Sequence, residues 1–131
     1  MAKMIHSMIR VADEARSVAF YRTAFGLEVA DRFVFDGFTL VYLSHAQTGF
    51  ELELTINEGQ SGAYDLGTGY GHLAVSVNDV DAEQARLASA GLNVGEVKTL
   101  SHPSGFSARF FFATDPDGYR IEVLQRGGRF Q

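Results

Sequence analysis

The stretch DPDGYRIEVL, residues 115–124, predicts a tight turn that leads directly into a strand. Pro at the second and Gly at the fourth position of Asp115–Gly118 favour a type I turn. Side chains alternate along the strand that follows, so that Ile121 and Val123 share an apolar face and Glu122 lies on the opposite face. Burying a carboxylate is costly unless a partner compensates its charge. Glu122 is therefore the first candidate functional residue.

This stretch ends the second copy of a pattern that occurs twice in the chain. Each copy consists of one strand, one helix and then three strands. The first copy is predicted to have a strand over residues 4–11, a helix between Asp13 and Gly26, and strands over residues 27–34, 38–43 and 50–56. The second is predicted to have a strand over residues 70–77, a helix that Asp79 or Asp81 begins and Gly91 ends, and strands over residues 92–98, 107–113 and 119–125. These patterns predict an α+β fold of two βαβββ modules in tandem.

Residue-level matches support the duplication. His6 matches His72 at an offset of 66 residues, and Gly49–Leu54 matches Gly118–Val123 at an offset of 69. The offset changes in loops, where insertions are tolerated. We therefore predict an N-terminal module over residues 1–57, a glycine-rich linker over residues 58–69 and a C-terminal module over residues 70–131.

Composition limits the classes of partner. The chain has 131 residues, 46% of them hydrophobic, a net charge of -5 and no cysteine. Without a basic cluster we expect neither nucleic acid nor an anionic membrane surface as a partner, and no thiol chemistry by the protein itself. No apolar run is long enough to span a membrane, and His6 and Arg10 interrupt any signal-peptide pattern near the N-terminus. By default we expect a cytoplasmic protein.

The duplication brings four residues of metal-ligating types into register. His6 corresponds to His72, and Glu53 corresponds to Glu122. A single histidine in a strand is more often a hydrogen-bonded structural residue than a ligand, but here each histidine and each glutamate has a counterpart in the other module. Two imidazoles and two carboxylates suit a divalent ion that accepts mixed nitrogen and oxygen donors, such as Ni, Co, Zn, Mn or Fe.

Four segments carry a resemblance to a known family: IHSMIRV at residues 5–11, ELT at residues 53–55 followed by Asn57 and Gly59, LGTGYGH at residues 66–72, and DPDGYRIE at residues 115–122. They resemble bacterial glyoxalase I, the lactoylglutathione lyases of the vicinal oxygen chelate superfamily, and the similarity runs nearly end to end. The resemblance implies a homodimer with cupped sheets and metal sites at the subunit interface. Each metal would take His6 and Glu53 from one chain and His72 and Glu122 from the other.

The resemblance also implies an activity. Members of this family isomerise the hemithioacetal of methylglyoxal and glutathione to S-lactoylglutathione, which detoxifies methylglyoxal. Compact bacterial members typically use nickel or cobalt, with zinc as a further candidate, and glutathione as co-substrate. Glu122 would be the catalytic base, with Glu53 as its counterpart on the other face, and Arg10 and Asn57 would bind the γ-glutamyl end of glutathione.

Two positions depart from the family pattern. Ser104 stands where the loop before the penultimate strand carries a basic residue that binds a glutathione carboxylate, with only Lys98 and His102 nearby. Glu58 replaces an aromatic residue. Both changes affect the expected thiol site more than the metal site, and Arg109 is a candidate for the missing positive charge.

Two other functions remain open from the sequence. An acyl-coenzyme A epimerase of the same superfamily would share the metal set, but related epimerases generally have Gln at the position of Glu53. A non-catalytic small-molecule binding or resistance protein would typically lack the set. The presence of all four candidate ligands favours the lyase.

Overall fold

The computed structural model describes all residues 1–131 and divides into two compact units, Met1–Asp65 and Leu66–Gln131. The N-terminal unit contains β1 (His6–Arg10), α1 (Glu14–Phe25), β2 (Glu28–Phe35), β3 (Phe38–Ser44) and β4 (Glu51–Asn57). The C-terminal unit contains β5 (Leu73–Val77), α2 (Val80–Ser89), β6 (Asn93–Val94), β7 (Lys98–Ser101), β8 (Ser107–Thr114) and β9 (Arg120–Gln125). The predicted α+β class and the duplicated βαβββ pattern are confirmed. Neither helix combines the length and hydrophobicity needed to cross a bilayer.

Each unit has one mixed sheet with the same topology. In the N-terminal unit the strand order is β1-β4-β3-β2, with β1 and β4 parallel and the other pairs antiparallel. In the C-terminal unit the order is β5-β9-β8, with β5 and β9 parallel and with both β6 and β7 paired to β8. The first and last strands of each module are therefore parallel neighbours, with the first strand at one edge of its sheet.

The prediction of one strand over residues 92–98 is wrong. The structure has two short strands, β6 and β7, which pair with different parts of β8. The segment between them leaves the regular ladder, although the Gly95 backbone N–H still bonds to the Phe112 carbonyl at 2.9 Å. Strand β5 is also shorter than predicted, because it begins at Leu73 and not at residue 70.

Both helices begin at an aspartate whose side chain caps the first turn. Asp13 Oδ1 accepts a bond from the backbone N–H of Arg16 at 2.8 Å, and Asp79 Oδ1 accepts one from Ala82 at 3.0 Å. Asp79 is thus the cap of α2, and Asp81 is not. Helix α1 ends at Gly26, whose φ of 68° is the left-handed conformation that glycine tolerates best.

The core of each unit lies on one face of its sheet. Helix α1 buries a stripe at helical spacing that includes Ser17 and Tyr21, positions that hydrophobicity alone did not select. The buried apolar residues of the N-terminal unit are Ile9, Val11, Phe20, Tyr21, Ala24, Val41, Leu43, Leu52 and Leu54. Those of the C-terminal unit are Val80, Leu87, Phe111, Ala113, Ile121 and Val123, while the buried Ala108 and Leu124 lie on the other face of the sheet by strand alternation. The opposite face of each sheet carries the candidate ligands.

The turn before β9 is fixed by Asp115. The Gly118 N–H bonds to the Asp115 carbonyl at 3.1 Å, which confirms the predicted turn. Asp115 is only 5% exposed, and its Oδ1 accepts bonds from the backbone N–H groups of Asp117 and Tyr119, both at 2.9 Å. This network fixes the start of β9 and thereby the position of Glu122 on that strand.

Replacing Asp115 by Ala is expected to lower the free energy of unfolding by about 3 kcal/mol, because two backbone donors lose a charged acceptor. Chemical denaturation measures the change. The matched control is Asp36→Ala in the exposed turn between β2 and β3, which should change stability by less than about 0.5 kcal/mol. Equal effects of the two substitutions would show that the Asp115 network does not stabilise the fold.

Candidate metal and catalytic site

The first candidate pair joins β1 to β4. His6 Nε2 lies 2.9 Å from Glu53 Oε2. In the parallel ladder His6 stands opposite Glu51, so Glu53 is its diagonal neighbour, two residues further along the strand and on the same face. The Glu53 side chain is 11% exposed, against 37% for His6. The pair is thus a largely buried carboxylate beside an accessible imidazole.

The second pair repeats this geometry in the C-terminal unit. His72 Nε2 lies 2.6 Å from Glu122 Oε2. Glu122 is on β9, as predicted, but His72 immediately precedes β5 and is not inside a strand. The register pairs Leu73 with Ile121, so Glu122 is again the diagonal neighbour of the histidine. The duplication therefore places both histidine and glutamate pairs at equivalent points of their sheets.

An aromatic ring accompanies each pair. Tyr42 on β3 stands opposite Glu53 and meets the His6 ring edge-on, with ring centroids 5.9 Å apart. Phe112 on β8 stands opposite Glu122 and meets the His72 ring in the same way at 5.2 Å. Sequence reasoning did not single out either ring. In each module the ring lies on the strand before the one that carries the glutamate, and this shared position could have identified both rings.

Tyr42 differs from Phe112 by its hydroxyl group. Burial, the negative charge of Glu53 and a hydrogen bond to the Glu53 side chain raise the pKa of Tyr42, in that order of importance. The raised pKa keeps the hydroxyl protonated at neutral pH. Glu53 therefore contacts His6 and stands opposite a tyrosine, whereas Glu122 contacts His72 and stands opposite a phenylalanine.

The two pairs suit a divalent ion. Imidazole nitrogen and carboxylate oxygen are ligands of nickel, cobalt and zinc. Adjacent donors at about 2.1 Å from one octahedral ion lie about 3 Å apart, close to the 2.9 Å and 2.6 Å separations of the two pairs. No group of three or more histidine, cysteine, aspartate or glutamate side chains lies together in this chain. Each pair alone could thus offer an ion two adjacent donors.

The two residues expected to bind the thiol substrate flank the first pair. Arg10 is exposed at the end of β1 and shares the face of His6 by strand alternation. Asn57 ends β4 on the face of Glu53, and its Nδ2 donates to the Tyr64 hydroxyl at 3.2 Å. Tyr64 was not predicted, because it lies in an irregular segment without periodicity.

Arg109 does not supply the positive charge missing from the thiol site. It lies three residues before Phe112 on β8, so its side chain points to the face opposite Glu122. Its Nη2 and Nε donate to Asp81 at 2.6 Å and 3.1 Å. The suggestion that Arg109 compensates for Ser104 is therefore wrong, because strand alternation and the pairing with Asp81 direct it elsewhere.

Ser104 lies in an exposed turn closed by its own neighbours. Its hydroxyl is 2.7 Å from His102 Nδ1, and its backbone N–H donates to the same nitrogen at 3.1 Å. Lys98 is exposed on the edge strand β7. The turn around Ser104 therefore presents a hydroxyl and an imidazole in place of a basic side chain.

Known proteins are similar to this chain over most of its length. The sequence profile of the Glyoxalase/Bleomycin resistance protein/Dioxygenase superfamily matches residues 3–123. A probable lactoylglutathione lyase of Vibrio parahaemolyticus is 33% identical over 128 residues, covering 94% of this chain and 90% of that protein. The lactoylglutathione lyase of Haemophilus influenzae is 34% identical over 128 residues, covering 94% and 92%.

Solved structures of glyoxalase I are also similar to this chain. The trypanothione-dependent glyoxalase I of Leishmania major is similar with a TM-score of 0.78 and 35% identity, covering 95% of this chain and 87% of that one. The V278E glyoxalase I mutant of Zea mays is similar with a TM-score of 0.82 and 33% identity, covering 96% of this chain and 45% of the longer plant chain. The chain therefore belongs to the glyoxalase/bleomycin resistance protein/dioxygenase superfamily and, within it, is a lyase of the lactoylglutathione lyase (glyoxalase I) family.

Proposed function

We propose that this protein is a metal-dependent lactoylglutathione lyase that converts the hemithioacetal of methylglyoxal and glutathione into S-lactoylglutathione. The observation that carries the proposal is the pair of equivalent contacts, His6 with Glu53 and His72 with Glu122, at matching positions of the two sheets. This chain has all four groups and is about one third identical to bacterial lactoylglutathione lyases over most of its length. We also propose a cytoplasmic location.

The metal would be held by both pairs. We propose a homodimer in which His6 and Glu53 of one subunit and His72 and Glu122 of the other bind one ion at the subunit interface, with nickel or cobalt favoured over zinc. A divalent ion bound there would act as a Lewis acid that stabilises negative charge on the substrate oxygens. Each chain contributes two half-sites, so that a dimer has two complete sites.

The chemistry of the chain is a proton transfer between adjacent carbons. The carboxylate of Glu122 removes the proton from the hemithioacetal carbon next to the carbonyl, and a proton returns to the neighbouring carbon. No oxidant is required, because one carbon loses the hydrogen that the other gains. Glu53 faces the site from the other pair and serves the opposite face of the substrate.

The thiol substrate would lie against Arg10 and Asn57. A guanidinium and an amide suit the amino acid end of a γ-glutamyl group, since together they supply donors and an acceptor. Bacterial relatives are lactoylglutathione lyases, whereas the Leishmania relative depends on trypanothione. We propose glutathione for this chain. Binding at the glycyl end then depends on groups other than a basic residue at the position of Ser104.

An ultraviolet assay tests the activity. Protein stripped of metal is expected to lose at least about 99% of its thioester formation from methylglyoxal and glutathione, and reconstitution with nickel or cobalt should restore it. Zinc is expected to restore less. Metal analysis should find about one divalent ion per chain, because each dimer would contain two sites.

Reactions without thiol and with trypanothione in place of glutathione provide the controls. Formation of thioester by the stripped protein at the untreated rate would exclude metal dependence. Absence of thioester with nickel, cobalt and zinc in turn, while metal remains bound, would exclude the lyase activity and favour the epimerase.

A further inference from the structure

We propose a second binding site, for a small organic phosphate, in a cleft of the C-terminal unit. The cleft has a volume of about 390 Å³, and its walls include three arginines and two aromatic rings, namely Arg109, Arg126, Arg129, Phe106 and Phe130. Small-molecule sites typically measure roughly 300–1,000 Å³. The proposal does not depend on the lyase activity, because none of these five residues belongs to the candidate metal and catalytic site.

The strand residues that line the cleft point away from the candidate metal ligands. Side chains alternate along β9, so Gln125, which lines the cleft, points to the face opposite Glu122. Arg109 on β8 points to the same side as Gln125, where it pairs with Asp81 of α2. The cleft is therefore distinct from the pair formed by His72 and Glu122, which lies on the other face of the sheet.

The cleft carries positive charge that the chain only partly compensates. None of the lining residues is an aspartate or a glutamate. Arg109 is neutralised by Asp81, whose Oδ1 lies 2.6 Å from Nη2. Arg126 is held by neutral acceptors instead: its Nε donates to Ser76 Oγ at 3.2 Å, its Nη2 to the Ser76 carbonyl at 3.1 Å and its Nη1 to Asn78 Oδ1 at 2.9 Å. These bonds fix the guanidinium of Arg126 without cancelling its charge.

The third arginine, Arg129, is presented by a tight turn. The Gly127 N–H donates to the Phe130 carbonyl at 2.7 Å, and the Phe130 N–H donates to the Gly127 carbonyl at 3.0 Å. Gly128 has a φ of 54°, in the left-handed region that glycine tolerates best. The Arg129 side chain makes no hydrogen bond or ion pair within the chain. In a protein of net charge -5, the uncompensated guanidiniums of Arg126 and Arg129 therefore favour an anion at this point of the surface.

The two aromatic rings indicate the rest of the ligand. The Phe106 and Phe130 ring centroids lie 6.1 Å apart, and Phe106 is 41% exposed. Such rings offer an apolar surface for another ring, whereas guanidiniums bind phosphate through paired N–H groups. A phosphate monoester carries about two negative charges at neutral pH, which matches the two uncompensated arginines. The cleft therefore suits a phosphate monoester with a planar ring, and adenosine monophosphate (AMP) is a suitable probe.

Calorimetry with AMP and the full-length protein tests the site. We expect wild-type protein to bind AMP, and to bind adenosine at least about 10-fold more weakly because adenosine lacks the charged group. Arg129→Gln should weaken AMP binding about 10-fold or more, with unchanged melting temperature and lyase turnover, because Arg129 has no partner within the chain. Arg22→Gln removes an exposed arginine of the N-terminal unit and is the matched control, which should keep the wild-type AMP affinity.

Further ligands and one further variant test the two parts of the site separately. Phe106→Leu should weaken binding of AMP but not of inorganic phosphate, and added nickel should leave AMP affinity unchanged. Wild-type protein that does not bind AMP at millimolar concentrations, or AMP binding that Arg129→Gln leaves unaltered, would overturn the site. Inorganic phosphate that binds as tightly as AMP would contradict a ring-bearing ligand, and succinate that binds more tightly would contradict a phosphate. The ultraviolet assay of thioester formation is independent of all these results, so failure of this site is distinguishable from failure of the lyase.

Discussion

Replacing Glu122 by Gln is expected to lower kcat about 10³-fold, while S-lactoylglutathione still binds. The substitution keeps the length of the side chain and an oxygen within reach of His72, which lies 2.6 Å from the wild-type carboxylate. It removes the negative charge and the basicity that proton abstraction requires. A carboxylate that supplied only binding would lose affinity and not turnover.

The measurement is kcat at saturating nickel, together with product affinity by calorimetry and metal content by elemental analysis. Glu51→Gln is the matched control, because Glu51 lies on β4 two residues from Glu53 and on the same face but contacts neither histidine as an ion pair. We expect this control to keep wild-type turnover within about 3-fold. A Glu122→Gln variant that retains bound metal and turns over at the wild-type rate would exclude Glu122 as the base.

The fold could be predicted because its signals are local and occur twice. Asp13 and Asp79 precede helices, glycines follow them, and the turn at Asp115–Gly118 has a distinctive sequence. The duplication then matched His6 with His72 and Glu53 with Glu122 without any knowledge of contacts. The structure brings His6 and Glu53 to 2.9 Å on the neighbouring strands β1 and β4, a contact that repeat matching alone did not give.

Features that depend on pairing between strands were not predictable in the same way. The sequence of residues 92–98 predicts one strand. In the structure β6 and β7 pair with separate parts of β8, and the ladder is interrupted between them. Arg109 lies in a phenylalanine-rich strand, and its face became known only with the register of β8 against β9. Tyr42 required the pairing of β3 with β4, which no local pattern indicates.

The proposed sharing of the site between subunits leads to the second large expected effect, which a complementation experiment tests. In one variant both ligands of the N-terminal unit are replaced, His6→Ala with Glu53→Gln, and in the other both ligands of the C-terminal unit, His72→Ala with Glu122→Gln. Each variant alone has no complete ligand set, and we expect activity below about 1% of the wild type for each. In a mixed dimer one site combines all four substitutions, and the other combines four intact ligands.

The central claim is that one ion takes a histidine and a glutamate from each of two chains. Different affinity tags on the two variants allow the mixed dimer to be isolated after co-expression, and its nickel content and kcat test the claim most directly. The account predicts about one nickel ion per mixed dimer and about half of the wild-type activity, because one of two sites is rebuilt. A mixed dimer that is as inactive and metal-poor as its parents would contradict the shared site.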